Sequence, residues 1–205
     1  MPATSSPQPR SIATRLMHVS ILLIVLHQLL GSSLMEGPRR GRPGDWLYGL
    51  HEWGGLIGLG VLGVFWVWIA FRRDETAIAA LVPWFSGARL RALRDDVLVH
   101  ATAVRRRRWP HSDSQSLAAA THGLGLLTAL FMAATGASTL VWDAGSGLHG
   151  VLIGTHKFLA NLMWAYLVAH ASIAVLHHLV GDATLREMFT FKKSTVELAK
   201  RRHAS

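Results

Sequence analysis

Four long apolar segments constrain the fold of this chain more than any other feature. They cover residues 12–34, 48–72, 117–141 and 155–180, and about 20 apolar residues in a helix are enough to cross the hydrocarbon core of a bilayer. Half of the 205 residues are hydrophobic and only 16% are charged, against about 25% charged in an ordinary soluble domain. The sequence therefore predicts an all-α integral membrane protein, a single four-helix bundle domain over residues 1–205.

The first segment shares one property with signal peptides, because Arg10 and Arg15 precede its apolar run. However, that run is longer than the apolar part of a usual signal peptide, and it contains His18 and His27. No convincing small-residue cleavage pattern follows it. We therefore expect it to be a retained membrane helix.

The distribution of Lys and Arg predicts the orientation. With four spans, both termini and the connector 73–116 share one side of the membrane. That side carries two basic residues before the first span, nine from Arg72 to Arg108 and six from Arg186 to Arg202, seventeen in total, and the other side carries four. The positive-inside rule then places both termini in the cytoplasm. The same rule explains the net charge of +9. We therefore do not expect a nucleic-acid partner.

The connector 73–116 has a pattern of its own. Leu90, Leu93, Val97 and Val104 recur at roughly helical intervals between arginines. The segment could be an amphipathic helix on the anionic inner leaflet, with the arginines near lipid headgroups. A solvated basic connector that enforces topology explains the pattern equally well, and both interpretations stay open.

Histidines within the apolar segments are the candidate functional residues, because an ionisable side chain in a membrane helix is costly. His156 and His170 lie fourteen residues apart, which puts both on one helix face, about 21 Å apart along the axis. His51 begins the second span and His156 the fourth, so both lie near the outer side. His18 begins the first span, near the cytoplasm. Depth therefore pairs His51 with His156 and His18 with His170.

Each histidine pair could supply two axial ligands to one haem iron, which favours electron transfer over ligand chemistry. The chain has no cysteine, which excludes thiolate metal sites, iron–sulfur clusters and c-type haem attachment. Glycines in the second and third spans could leave room for a flat macrocycle, although taken alone they are better explained by ordinary helix packing; they are Gly54, Gly55, Gly58, Gly63, Gly123, Gly125 and Gly136.

The other histidines are weaker candidates. A lone membrane histidine more often packs or relays protons than binds metal, and we expect this of His27, which lies on the helix face opposite His18. His122 opens the third span and could contact a substrate, a haem or another subunit. For His177 and His178, at the end of the fourth span, we expect snorkelling or contact with a haem propionate. Four histidines in loops or the tail receive no role: His100, His111, His149 and His203.

Three stretches carry a family resemblance: TRLMHVSI, GLHEWGGLIGL and THKFLANLMWAYLVAHASIAVLHHLVGDATLREMF. They resemble the bacterial cytochrome b561 family and, more distantly, the cytochrome b subunits of membrane hydrogenases and formate dehydrogenases. The resemblance covers all four spans. It implies two stacked haems b with the ligands His18, His51, His156 and His170, and exchange of electrons with the quinone pool. The chain departs from the family in its long connector, in Val19 after the first ligand, and in the His122-Gly start of the third span.

The sequence thus predicts a di-haem b-type cytochrome of the bacterial cytoplasmic membrane, with its activity as an enzyme left open. Arg15 and His122 are predicted to contact a quinone or haem propionates on the cytoplasmic side. The outer reactant could be superoxide or a periplasmic redox protein. One alternative is an electron-transferring anchor subunit of a larger dehydrogenase. Another, of a different class, is a haem-free transporter with a histidine relay. The spans disfavour it, because they contain no acidic residue apart from Glu52 near an end.

Overall fold

A computed structural model describes residues 11–39, 41–72, 76–107, 115–180 and 188–189. Apart from an isolated bridge between Arg39 and Arg42, these residues form helices and the loops between them. The helices are α1 (Ile12–Ser32), α2 (Trp46–Phe71), α3 (Ile78–Leu81), α4 (Gly87–Arg105), α5 (Ser116–Ser138) and α6 (Gly147–Leu179), with a 3-10 turn at Pro83–Phe85 between α3 and α4.

Four of these helices correspond to the predicted spans. α1, α2, α5 and α6 have 21, 26, 23 and 33 residues, and each is long and apolar enough to cross a membrane. The prediction of an all-helical membrane bundle is therefore confirmed. The predicted basic tail beyond Arg186, as well as Arg10, Arg108, Trp109, His111 and His203, lies outside the described residues.

The last span starts earlier than the sequence suggested, at Gly147 instead of residue 155. Ser146 has an extended backbone, and its side chain accepts a hydrogen bond of 3.2 Å from the His149 N–H. A serine in this position satisfies an N–H group that the first helical turn leaves unpaired. The assignment of His149 to a loop was therefore wrong, because it lies in the first turn of α6.

The connector is folded onto the bundle. The start of α5 has no capping side chain of its own, and Asp96 of α4 takes that role by accepting a 2.9 Å hydrogen bond from the Leu117 N–H. Asp96 is only 2% exposed, and its other carboxylate oxygen lies 3.3 Å from Nδ1 of His100. The helical spacing of Leu90, Leu93, Val97 and Val104 therefore corresponds to a helix, α4, and a buried carboxylate docks it on α5.

Arg72 joins the other end of the connector to α1. Its Nη1 donates to the Thr14 hydroxyl at 2.9 Å, and its Nη2 donates to the Thr76 carbonyl at 3.0 Å. α3 then lies against α5, where Gly123 is so close to the main chain of Leu81 that a Cβ would overlap it. Thr76 and α3 thus lie between the ends of three spans.

The hydrophobic core lies at mid-height in the bundle. Its buried members come from all four spans: Val25, Leu29, Leu62, Ala129, Met132 and Met163. Met163 is seven residues from His156 and seven from His170, so this member of the core lies between the levels of these two histidines. The backbone of α6 packs along α5 and hardly approaches α1 or α2. Side chains such as Met163 therefore bridge the distance between α6 and the first two spans.

Tryptophans near the ends of the spans face outward. Trp46, Trp53 and Trp142 are 72%, 70% and 50% exposed. Amphipathic rings at these positions are typical of the aromatic belts at membrane interfaces. The side chains that face away from the core are largely apolar, as a hydrocarbon environment requires.

Candidate haem sites

The structure brings two pairs of imidazole rings together between α6 and the first two spans. His51 of α2 faces His156 with ring centroids 6.0 Å apart, and we call these two residues the outer pair. His18 of α1 faces His170 with centroids 6.4 Å apart, and these two form the inner pair. These are the same partners that depth along the helices predicted.

The separation of the rings can be compared with what an iron atom would require. Bonds from a metal to imidazole nitrogen are about 2 Å long, so one iron between two imidazoles puts the ring centroids about 6 Å apart. The observed 6.0 Å and 6.4 Å agree with that requirement. By the separation of their rings, the residues present therefore fit a bis-imidazole haem at each level.

A hydrogen bond orients one ring of the outer pair. Nδ1 of His156 lies 2.8 Å from the main-chain carbonyl of Met132 in α5. Because a carbonyl can only accept, Nδ1 carries the proton and Nε2 keeps its lone pair. Metal-binding histidines usually donate their second ring N–H in this way.

Two further rings surround the inner pair. The His122 ring lies at right angles to that of His170 at a centroid distance of 5.1 Å, and Tyr166 stacks on His170 at 5.4 Å with a 13° tilt. His122 Nδ1 lies 2.6 Å from the Ala118 carbonyl, so its Nε2 is the atom that can accept a proton. Tyr166 was not predicted, although its position one helical turn before His170 indicates a shared face.

Arg15 also lies near the inner pair. It is one turn before His18 on α1, and only 8% of its surface is exposed. A buried guanidinium favours a nearby anion. The two residues predicted as quinone or propionate contacts, Arg15 and His122, thus belong to the same end of the bundle.

A family model supplies the link between this geometry and a class of protein. The model described as prokaryotic cytochrome b561 matches residues 10–191, which is most of the chain. The chain belongs to the prokaryotic cytochrome b561 family. Comparison with curated proteins and with solved structures gives no significant match.

Family membership establishes the general activity of this cytochrome b561. It is a bacterial membrane protein that binds haem b and transfers electrons, and it sits in a lipid bilayer. The interpretation as a haem-free histidine relay is therefore wrong. Among the described residues, no group of three or more His, Asp or Glu side chains forms a metal site, but an axial haem site takes only two protein ligands.

Three glycines in the spans of the cytochrome allow close packing. Gly58 lies against Ile24 of α1, Gly123 against the main chain of Leu81, and Gly125 against the ring of Tyr166. Gly63 has no neighbour within 4 Å of an added Cβ. Gly136 is the one beside a candidate ligand, since a Cβ there would lie 2.9 Å from Cε1 of His156.

The sequence did not predict the polar cluster at the interface between α1 and α2. Gln28 is 7% exposed, and its Nε2 atom is so close to Gly54 that a Cβ on this glycine would overlap it. The same Cβ would lie 3.2 Å from the ring of His27, which agrees with the packing role expected for His27. The signal available in the sequence was a glutamine inside an otherwise apolar run.

Proposed function

We propose that this cytochrome b561 holds two haems b and carries electrons between them across the bacterial cytoplasmic membrane, with both termini in the cytoplasm. His51 and His156 would bind the outer haem, and His18 and His170 the inner one. The observation that carries the proposal is the pair of facing imidazoles at each of two levels, 6.0 Å and 6.4 Å between centroids. Helix rise separates the levels by about 21 Å along α6.

The side chains around the two pairs suit electron transfer. A haem with two imidazole ligands supplies a reversible one-electron carrier with both axial positions taken. The carbonyl of Met132 holds the His156 ring in one orientation, which limits the rearrangement that a change of charge would cause. Between the two levels lies the apolar side chain of Met163, which is buried in the hydrophobic core.

For the inner reactant, we propose exchange with the quinone pool beside His18 and His170. Arg15 and His122 could stabilise the negative charge that develops on a quinone oxygen during reduction. Contact with haem propionates explains the same two residues equally well. At the outer pair, superoxide or a periplasmic redox protein would be the reactant.

A second candidate is the role of anchor subunit in a larger dehydrogenase. Only 6% of the most apolar window of α6 is buried inside this chain, against 22–33% in the other three spans. That open surface could receive a partner subunit as well as lipid. Co-purification of the full chain with a catalytic subunit, and inactivity without it, would support this candidate.

Haem content and ligand substitution test the main proposal. A pyridine haemochrome assay on the purified chain should give two haems b per polypeptide. One spectral component should be lost in both His51→Ala and His156→Ala. The other component should be lost in both His18→Ala and His170→Ala. His27→Ala is the matched control and should keep both. A content near zero in the wild type, or loss of the same component in His51→Ala and His18→Ala, contradicts the proposal.

The quinone proposal needs a separate measurement. The reduced cytochrome is mixed with a soluble quinone analogue, and its reoxidation is followed in the wild type and in His122→Ala. A slower reaction in a variant with both haems supports a site at His122, and an unchanged rate removes His122 from it. His100→Ala, which changes a histidine that contacts Asp96 instead, should react at the wild-type rate.

A further inference from the structure

Gln28 is a buried polar side chain whose amide nitrogen has no hydrogen-bond partner among the residues that the structure describes. It is 7% exposed, and Nε2 of its amide is buried without an acceptor within hydrogen-bonding distance. An unpaired buried amide costs free energy, and in hydrocarbon no water compensates for it. Such a group calls for an acceptor or a polar neighbour that is not part of the polypeptide.

The surroundings of Gln28 place it at the outer pair. Its amide lies over Gly54, which is one helical turn after His51 on α2. The main chain of Gln28 also contacts the His51 imidazole. A Cβ on Gly54 would overlap the amide nitrogen, so the Gln28 side chain can keep this position only against a residue without a side chain. The glycine thus lets a polar group approach the level of His51 and His156.

We propose that the side-chain amide of Gln28 directs its N–H groups toward the haem of the outer pair and raises the reduction potential of that haem. The proposal rests on the proposed function, since it needs a haem held by His51 and His156. An added electron makes the haem more negative, and the positive end of an N–H dipole stabilises that state. In a site without water, this electrostatic effect is strong.

The test is a spectroscopic redox titration of the full, haem-loaded chain. Gln28→Met keeps the length of the side chain and removes the amide, whereas Gln28→Asn keeps an amide on a shorter side chain. Thr128→Val is the matched control, because Thr128 is 5% exposed but its hydroxyl already donates to the Leu124 carbonyl at 2.9 Å. The outer haem is identified as the component that His51→Ala removes.

We expect Gln28→Met to lower the equilibrium constant for reduction of the outer haem about tenfold, which corresponds to about 59 mV for one electron. The inner haem should keep its potential, Gln28→Asn should show a smaller decrease, and Thr128→Val none. Loss of the outer haem alone from Gln28→Met, with both haems kept in Gln28→Asn, also supports the proposal.

Three results would overturn it. If the potential of the outer haem is unchanged in Gln28→Met, the amide does not act on that haem. If the potential rises, the amide dipole points in the opposite direction. Loss of both haems from Gln28→Met means that the amide holds α1 to α2 instead. These results differ from those expected if the proposed function itself is wrong. In that case the wild type would lack two haem components, or His51→Ala would remove neither of them.

Discussion

Substitution of Gly136 should displace the ring of His156, the proposed ligand of the outer haem, without removing any polar group. An added Cβ would lie 2.9 Å from Cε1 and 3.0 Å from Nδ1 of His156, and ordinary contact starts at 3.4 Å. The ring would therefore have to move by about half an ångström in response to alanine. This movement stretches the 2.8 Å hydrogen bond from His156 to the Met132 carbonyl.

The hydrogen bond sets the size of the effect. A hydrogen bond of this kind contributes about 1 kcal/mol net, so Gly136→Ala should weaken retention of the outer haem by about fivefold. Gly136→Val adds two more methyl groups against the ring, and haem content should fall from two per chain to one. Global stability is a poor measure of this effect, because replacing a helical glycine by alanine contributes about 1 kcal/mol in the opposite direction.

The assay is haem content by pyridine haemochrome, together with a redox titration that identifies the component that remains. Gly63→Val is the matched control, because Gly63 is also helical and a Cβ there meets nothing within 4 Å. It should keep both haems. If Gly136→Val kept two haems with wild-type potentials, then the contact between Gly136 and His156 would not position the ligand, and the reasoning would fail.

Three further predictions concern the connector and the inner pair. Asp96→Ala leaves the Leu117 N–H without its acceptor and should destabilise the docked connector by about 1–3 kcal/mol in thermal unfolding, with Asp96→Asn affected less; equal melting temperatures would contradict this. Gly123→Val overlaps the main chain of Leu81 and should make the connector more sensitive to limited proteolysis, and an unchanged cleavage pattern would count against that packing. Tyr166→Leu removes the ring stacked on the inner pair and should change the potential of the inner haem only, so a shift of the outer component would refute the assignment.

Part of the fold could be predicted from the sequence because helical structure is local. Segment length and apolar content indicate a span, and the period of 3.6 residues places side chains on faces. The start of α6 at Gly147 was missed because Ser146 caps the helix inside a glycine-rich stretch that carries little periodicity. The docking of α4 could not be predicted either, since the acceptor for the Leu117 N–H is 21 residues away in the chain.

The chain by itself determines the depth of each histidine, because helix rise converts residue number into height. Fourteen residues between His156 and His170 set two levels in α6, and the ends of α1 and α2 supply one histidine to each. Tertiary packing alone decides what surrounds those histidines. The Met132 carbonyl that orients His156 and the Gly54 surface that receives Gln28 come from neighbouring helices. Lateral contacts of this kind depend on how helices rotate and approach one another, and helical periodicity carries no information about that.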